Sequence, residues 1–302
     1  MALPSSRTDP GVTPMPPKPR DEDLDFFGLT HQGKVRKDNQ DHFLISTLHK
    51  TIRVHSTSLP NPELLELPSQ RLASFSMVAD GVGGHAGGEE ASRAALEAIA
   101  EYVINTMYCF YAADAENEAV FLQSLQDAAA HCHDSVVARA RESGIKQGMA
   151  TTLTAAIGLW PYLYVLQVGD SRCYRLRNGE LEQLTRDQTL AQDLVDSGVM
   201  PPARAQWSPL AHVLSSSIGG TAQPIVTRNE ITGNRTDVYL LCTDGLTKHV
   251  PDERIRDRLR SLVTSEQVCR ALVDDALEGG GSDNVTVVVL RALPRPGETA
   301  SG

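Results

Sequence analysis

Cysteine is scarce in this chain of 302 residues: five, at positions 109, 132, 173, 242 and 269, with no C-x-x-C pair. An odd, scattered set argues against a disulfide framework and a zinc site, and each is expected to be a buried, inert thiol. Positive charge is short as well, 28 Lys and Arg against 38 Asp and Glu, for a net charge of −10. That balance argues against a nucleic-acid partner, which would need a basic face. No apolar stretch approaches the about 20 residues of a membrane span, and the first residues lack the apolar region of a signal peptide. The expectation is a cytoplasmic protein without a membrane partner.

What is present is ordinary globular material, 41% hydrophobic and 22% charged, long enough for a full core. The proline-rich start, residues 1–24, reads as a disordered tail, residues 25–292 as one folded domain, and residues 293–302 as a second tail. Apolar and β-branched runs bounded by Gly, Asp or Asn predict strands at 75–79, 152–159, 163–168, 172–177, 238–243 and 285–290. Asn178-Gly179 predicts a hairpin turn. Helical periodicity predicts helices over 89–107, 118–142 and 265–277, the last with Ser265 as N-cap. Residues 47–72 read as a hairpin extension with a loose tip, and 188–211 as an irregular surface segment. Strands grouped around a helix pair point to an α+β fold of two antiparallel sheets covered by helices.

Three aspartates stand at strand ends beside Gly or Asn: Asp80 before Gly81, Asp244 before Gly245, and Asp283 before Asn284. Strand ends bring residues distant in sequence to one rim, and carboxylates gathered there repel unless a cation compensates them. Oxygen donors without an accompanying Cys or His pair favour hard ions, Mg²⁺ or Mn²⁺. Each Asp-Gly alone is an ordinary turn signal; the joint pattern carries the reading.

Seven motifs then resemble the metal-dependent protein serine/threonine phosphatases (the PPM or type 2C family) in their bacterial form. They are G-x-V-R-x-x-N-Q-D-x-F from Gly33 to Phe43, ADGVGGHAGGEEAS from Ala79 to Ser92, GMATTL from Gly148, VGDSRCYRL from Val168, LTRDQ from Leu184, CTDGL from Cys242 and SDNVT from Ser282. The resemblance covers about residues 25–292 and implies a four-layer αββα sandwich with a dinuclear metal centre at one end. It implies Asp80 as the carboxylate bridging both ions, Gly81 as a carbonyl ligand, and Asp244 and Asp283 as ligands of the other ion. Asp41 is implied to hold metal-bound water, Arg36 to grip the substrate phosphate, and Asp170 to serve a third, weaker ion. Two tightly bound Mn²⁺ or Mg²⁺ ions would present a bridging hydroxide for in-line attack on phosphoserine or phosphothreonine, with no covalent intermediate at Ser92 or Ser171.

The chain departs from the family pattern in places. Gln40 stands where some members carry a metal-binding glutamate, and Val82 where animal members have a histidine. His85 occupies the place typical of bacterial members, as leaving-group acid, substrate contact or loop-ordering residue; His131 and His133 read as ordinary helix residues. Residues 188–211 match the family's variable flap. The implied partners are phosphorylated proteins, substrates of a serine/threonine kinase. A phosphatase dedicated to a small phosphorylated regulator and an inactive phosphoprotein-binding module stand as alternatives.

Overall fold

The computed structural model describes residues 17–50, 70–82, 86–106, 118–144, 148–205, 207–231 and 237–293. Eleven strands run in chain order: β1 Leu24–His31, β2 Asp41–Lys50, β3 Gln70–Val82, β4 Ala150–Thr151, β5 Leu153–Leu159, β6 Tyr162–Val168, β7 Arg172–Arg177, β8 Glu180–Gln183, β9 Ile225–Glu230, β10 Val238–Cys242 and β11 Val285–Ala292. The helices are α1 Ala86–Asn105, α2 Glu118–Glu142, α3 Leu190–Asp196, α4 Pro202–Ala205, α5 Asp244–Thr247, α6 Asp252–Ser261 and α7 Ser265–Glu278. One antiparallel sheet has the order β1-β11-β10-β7-β8, and the other β2-β3-β5-β6-β9 with β4 paired to β3.

The inner strands are apolar on both faces because both faces are covered. In β10, Val238, Leu240 and Cys242 pack toward α6 and α7, whereas Tyr239 and Leu241 meet the other sheet. In β3, Phe75, Met77 and Ala79 pack under α1 and α2, and Val78 points between the sheets. At about 1.5–3 kcal/mol for each fully buried large aliphatic side chain, these three apolar layers hold the αββα sandwich together. The fold is the expected one.

The Asn178-Gly179 turn joins β7 to β8 with φ of 53° and 82°, the left-handed pair a tight hairpin demands. Helix α7 is capped by Thr264 rather than Ser265: Thr264 Oγ1 accepts from the Gln267 amide while Gln267 Oε1 accepts from the Thr264 amide. This reciprocal capping box places the boundary one residue earlier. The expected irregular segment 188–211 instead carries α3, α4 and a 3₁₀ turn over Pro209–His212, each too short to leave a periodic signature. Most of the expected 47–72 extension, and all of 1–16, lie outside the described residues. Within the expected tail, Lys18 Nζ donates to Arg71 O at 2.5 Å and Arg71 Nη2 donates to Pro19 O at 2.6 Å. Among the described residues, no helix is long and apolar enough to cross a membrane.

Candidate metal centre

Five aspartates reach one end of the sandwich from five different strand ends. Asp41 opens β2 and lies directly across the ladder from Asp80 near the end of β3. Asp170 follows β6, Asp244 follows β10, and Asp283 precedes β11. A cleft of about 560 Å³ is lined by Arg36, Asp80, Gly81, Asp170, Asp244 and Asp283 among others. Thus the expected residues Arg36, Asp80, Gly81, Asp170, Asp244 and Asp283 share one cleft, with Asp41 buried behind them. His85 lies outside the described residues, and Val82 stands at the cleft, partly exposed.

Two glycines let the backbone approach. A Cβ on Gly81 would sit 2.2 Å from Gly88 O, and one on Gly245 would sit 1.8 Å from Asn284 O. Neither position can carry a side chain without moving main chain, which is why Gly follows both aspartates. The Asn284 side chain ties the Arg36 loop to the β11 edge: its Oδ1 accepts from the Gln40 amide, and its Nδ2 donates to Gln32 O and Asp38 O.

The carboxylates are electrostatically frustrated. Burial, then the charges of Asp41, Asp244, Asp170 and Asp283, push the Asp80 pKa well above the carboxylate range. Burial raises Asp41 to about 7 despite hydrogen bonds from Thr243 and Thr286, and burial with Asp244 and Asp187 raises Asp170 to about 7. Both hydroxyls, Thr243 Oγ1 and Thr286 Oγ1, donate to Asp41 Oδ2 at 2.8 Å, leaving Oδ1 buried with no hydrogen-bond partner. Asp244 Oδ1 is likewise buried and unpartnered. Bare, buried carboxylate oxygens in a nest of like charges have the donor chemistry of a divalent-cation site.

Two basic side chains enter the same cleft. Arg36 Nε lies 2.7 Å from Asp283 Oδ1, and Lys248 Nζ lies 2.6 Å from Asp244 Oδ2 and 2.7 Å from Asp283 Oδ2. Burial alone would favour the neutral form of Asp283, but Arg36 and Lys248 outweigh it and hold its pKa below the usual range. Burial likewise opposes the charge on Lys248, and Asp244 and Asp283 override it to raise the Lys248 pKa. Lys248, Thr243 and Thr286 are site residues that sequence reasoning missed. The two threonines flank the Asp-Gly and Asp-Asn signals, and Lys248 lies four residues beyond Asp244, one helical turn away.

The remaining expectations also find places. Ser92 Oγ donates to Gln40 O at 2.6 Å, and Ser171 Oγ is bonded to Thr152 Oγ1, so both are structural. The Gly219 amide donates to His133 Nδ1, whereas the His131 ring lies against Tyr102. Cys132, Cys173, Cys242 and Cys269 are buried free thiols; Cys109 lies outside the described residues.

Residues 66–278 match the family Protein phosphatase 2C. The chain belongs to this family. The serine/threonine protein phosphatase PstP of Mycobacterium tuberculosis (strain CDC 1551 / Oshkosh) is 38% identical over 213 residues, covering 70% of this chain and 39% of that protein. The chain thus spans about two-fifths of the length of its mycobacterial relatives. The serine/threonine phosphatase stp of Listeria monocytogenes serovar 1/2a is 32% identical over 226 residues, 74% of this chain and 87% of that one. Among 2C-type solved structures, Mycobacterium tuberculosis PstP/Ppp superposes with a TM-score of 0.69 at 32% identity, covering 90% of this chain and 99% of that one. The PstP catalytic domain in complex with two manganese ions gives a TM-score of 0.67 at 31% identity, covering 89% and 98%.

Proposed function

We propose that this chain is a metal-dependent protein phosphatase that hydrolyses phosphoserine and phosphothreonine on other proteins, substrates of a serine/threonine kinase. The observation that carries this reading is the gathering of Asp80, Asp170, Asp244 and Asp283 with Arg36 in one cleft, with Asp41 buried behind Asp80. The manganese pair named for PstP supports Mn²⁺ as the metal here, with Mg²⁺ as the alternative.

Asp80, the Gly81 carbonyl, Asp244 and Asp283 would hold two ions, and Asp170 a third and weaker one. When bound, these ions supply an ionised water as nucleophile and neutralise charge on the phosphoryl oxygens. This chain's own residues do the rest. Asp41 is fixed through Oδ2 by Thr243 and Thr286, which leaves Oδ1 as a free acceptor that would hold a metal-bound water. Arg36 offers a planar fork that matches two phosphate oxygens, and it can leave Asp283 for substrate because its side chain is about half exposed. Ser92 Oγ donates to Gln40 O and Ser171 Oγ is hydrogen-bonded to Thr152 Oγ1, an arrangement that supports direct transfer to water.

A phosphothreonine peptide panel tests the reading. Hydrolysis should be lost in EDTA and restored by Mn²⁺ or Mg²⁺. Full activity in a chelated, metal-free preparation would rule the reading out.

A further inference from the structure

Lys248 lies beyond the CTDGL run and outside every motif that carries the family likeness. Asp244 opens the short helix α5 and Lys248 follows it by one turn, so the backbone itself delivers the ammonium to the carboxylate. The result is a bridge from Asp244 Oδ2 (2.6 Å) to Asp283 Oδ2 (2.7 Å), on a lysine side chain only 22% exposed. Arg36 covers the other oxygen of Asp283. Two of the acids that would hold the second ion are therefore already neutralised by cations of the chain.

Asp244 Oδ1 is free, but Lys248 and Arg36 together engage both oxygens of Asp283, so an ion that Asp283 helps to hold must compete with one of these cations for it. Mg²⁺ binds carboxylate oxygen at about 2.0–2.1 Å, while Nζ stands at hydrogen-bond distance from Asp244 Oδ2 and Asp283 Oδ2. The two cations would be within a few ångströms of each other in a partly buried site, where repulsion is poorly screened. Lys248 also has somewhere to go. It forms part of the wall between the metal cleft and a neighbouring cleft of about 770 Å³, across which stand the exposed carboxylates of Asp252 and Glu253.

We propose that Lys248 is a resident counter-cation of the metal centre: it holds Asp244 and Asp283 together and competes with the second divalent ion for them. The second ion accordingly binds more weakly than the first, and the centre is loaded in sequence as metal concentration rises. This rests on the metal-dependent reading above. It does not depend on what the enzyme hydrolyses.

The test is calorimetric titration of Mn²⁺ into the chelator-stripped, dialysed full chain, comparing wild type with Lys248→Met, Lys248→Gln and Lys248→Arg. Wild type should take one ion tightly and a second at least tenfold more weakly. Both neutral variants should tighten the second ion at least tenfold, and Lys248→Arg should leave it weak. In EDTA the neutral variants should melt below wild type, and saturating Mn²⁺ should close or reverse that gap. Lys248→Gln keeps donors for both acids, so it provides the reading if Lys248→Met does not fold. A second ion bound equally or less tightly in the folded neutral variants overturns the proposal. No Mn²⁺ uptake by any form, wild type included, would overturn the metal-dependent reading itself.

Discussion

Arg36 engages both oxygens of the Asp283 carboxylate, Nε 2.7 Å from Oδ1 and Nη2 3.0 Å from Oδ2, although the two residues are 247 positions apart. The residue proposed for the substrate phosphate is thus parked on a residue proposed for the metal, and phosphate would have to compete with Asp283 for it. Arg36→Ala should raise KM about tenfold, equivalent to ~1.4 kcal/mol of binding, with a smaller fall in kcat. Steady-state kinetics on a phosphothreonine peptide decide it. An unchanged KM with a collapsed kcat would assign Arg36 to the transition state alone.

Asp80 feels four other carboxylates and is the residue assigned to both ions. Asp80→Asn should lower turnover by several orders of magnitude while leaving the melting transition cooperative. Retention of more than about a tenth of wild-type rate corresponds to only ~1.4 kcal/mol of barrier and would remove Asp80 from its bridging role.

Asp170 borders both clefts, beside Asp244 in one and beside Asp187 and Asp252 in the other. A site of one or two carboxylates and mostly water binds Mg²⁺ or Mn²⁺ loosely. Asp170→Ala should keep the two tight ions and the fold, yet lose most turnover and the low-affinity phase of metal activation. A normal metal titration with normal activity would leave Asp170 as a turn residue.

Away from the centre, Asp275 on α7 accepts from both Arg254 and Arg258 on α6. Burial would raise its pKa, but the two guanidiniums outweigh it and lower it to about 2. A depressed carboxylate adds stability that is complete above its unfolded pKa of about 3.9 and is lost as pH falls through its folded value. Asp275→Asn should therefore melt below wild type at pH 7, with the gap shrinking below about pH 4. A gap independent of pH between 7 and 3 would show that the pair contributes by packing and not by charge.

How much of this was legible depended on burial. β5, β6, β10 and β11 were read correctly because apolar faces on both sides leave near-unbroken runs such as VYLLC and VTVVV. β1, β2 and β9 are sheet edges, only half-buried along most of their length, and their mixed sequences gave no strand signal. Helix α6, DERIRDRLRS, escaped because it buries only Ile255 and Leu259. At the centre, Asp80, Asp244 and Asp283 were visible because glycine or asparagine marks their strand ends, whereas the roles of Asp41 and Asp170 came from the family resemblance. Lys248 was not, since a lysine one turn into a helix looks like any solvated charge until its partners are placed in space.

The acids of the centre come from both halves of the sandwich: Asp41, Asp80 and Asp170 from the β2-β3-β5-β6-β9 sheet, Asp244 and Asp283 from the other. The gap between the two sets is set by the filling between the sheets, where Val78, Tyr239, Leu241 and Val288 interlock. That filling works as a caliper. Interiors packed at crystal-like density resist compression, so the spacing offered to the ions is a property of side chains that never touch them. Trimming one of those four side chains should change which ionic radius the centre prefers before it changes which phosphoprotein it accepts.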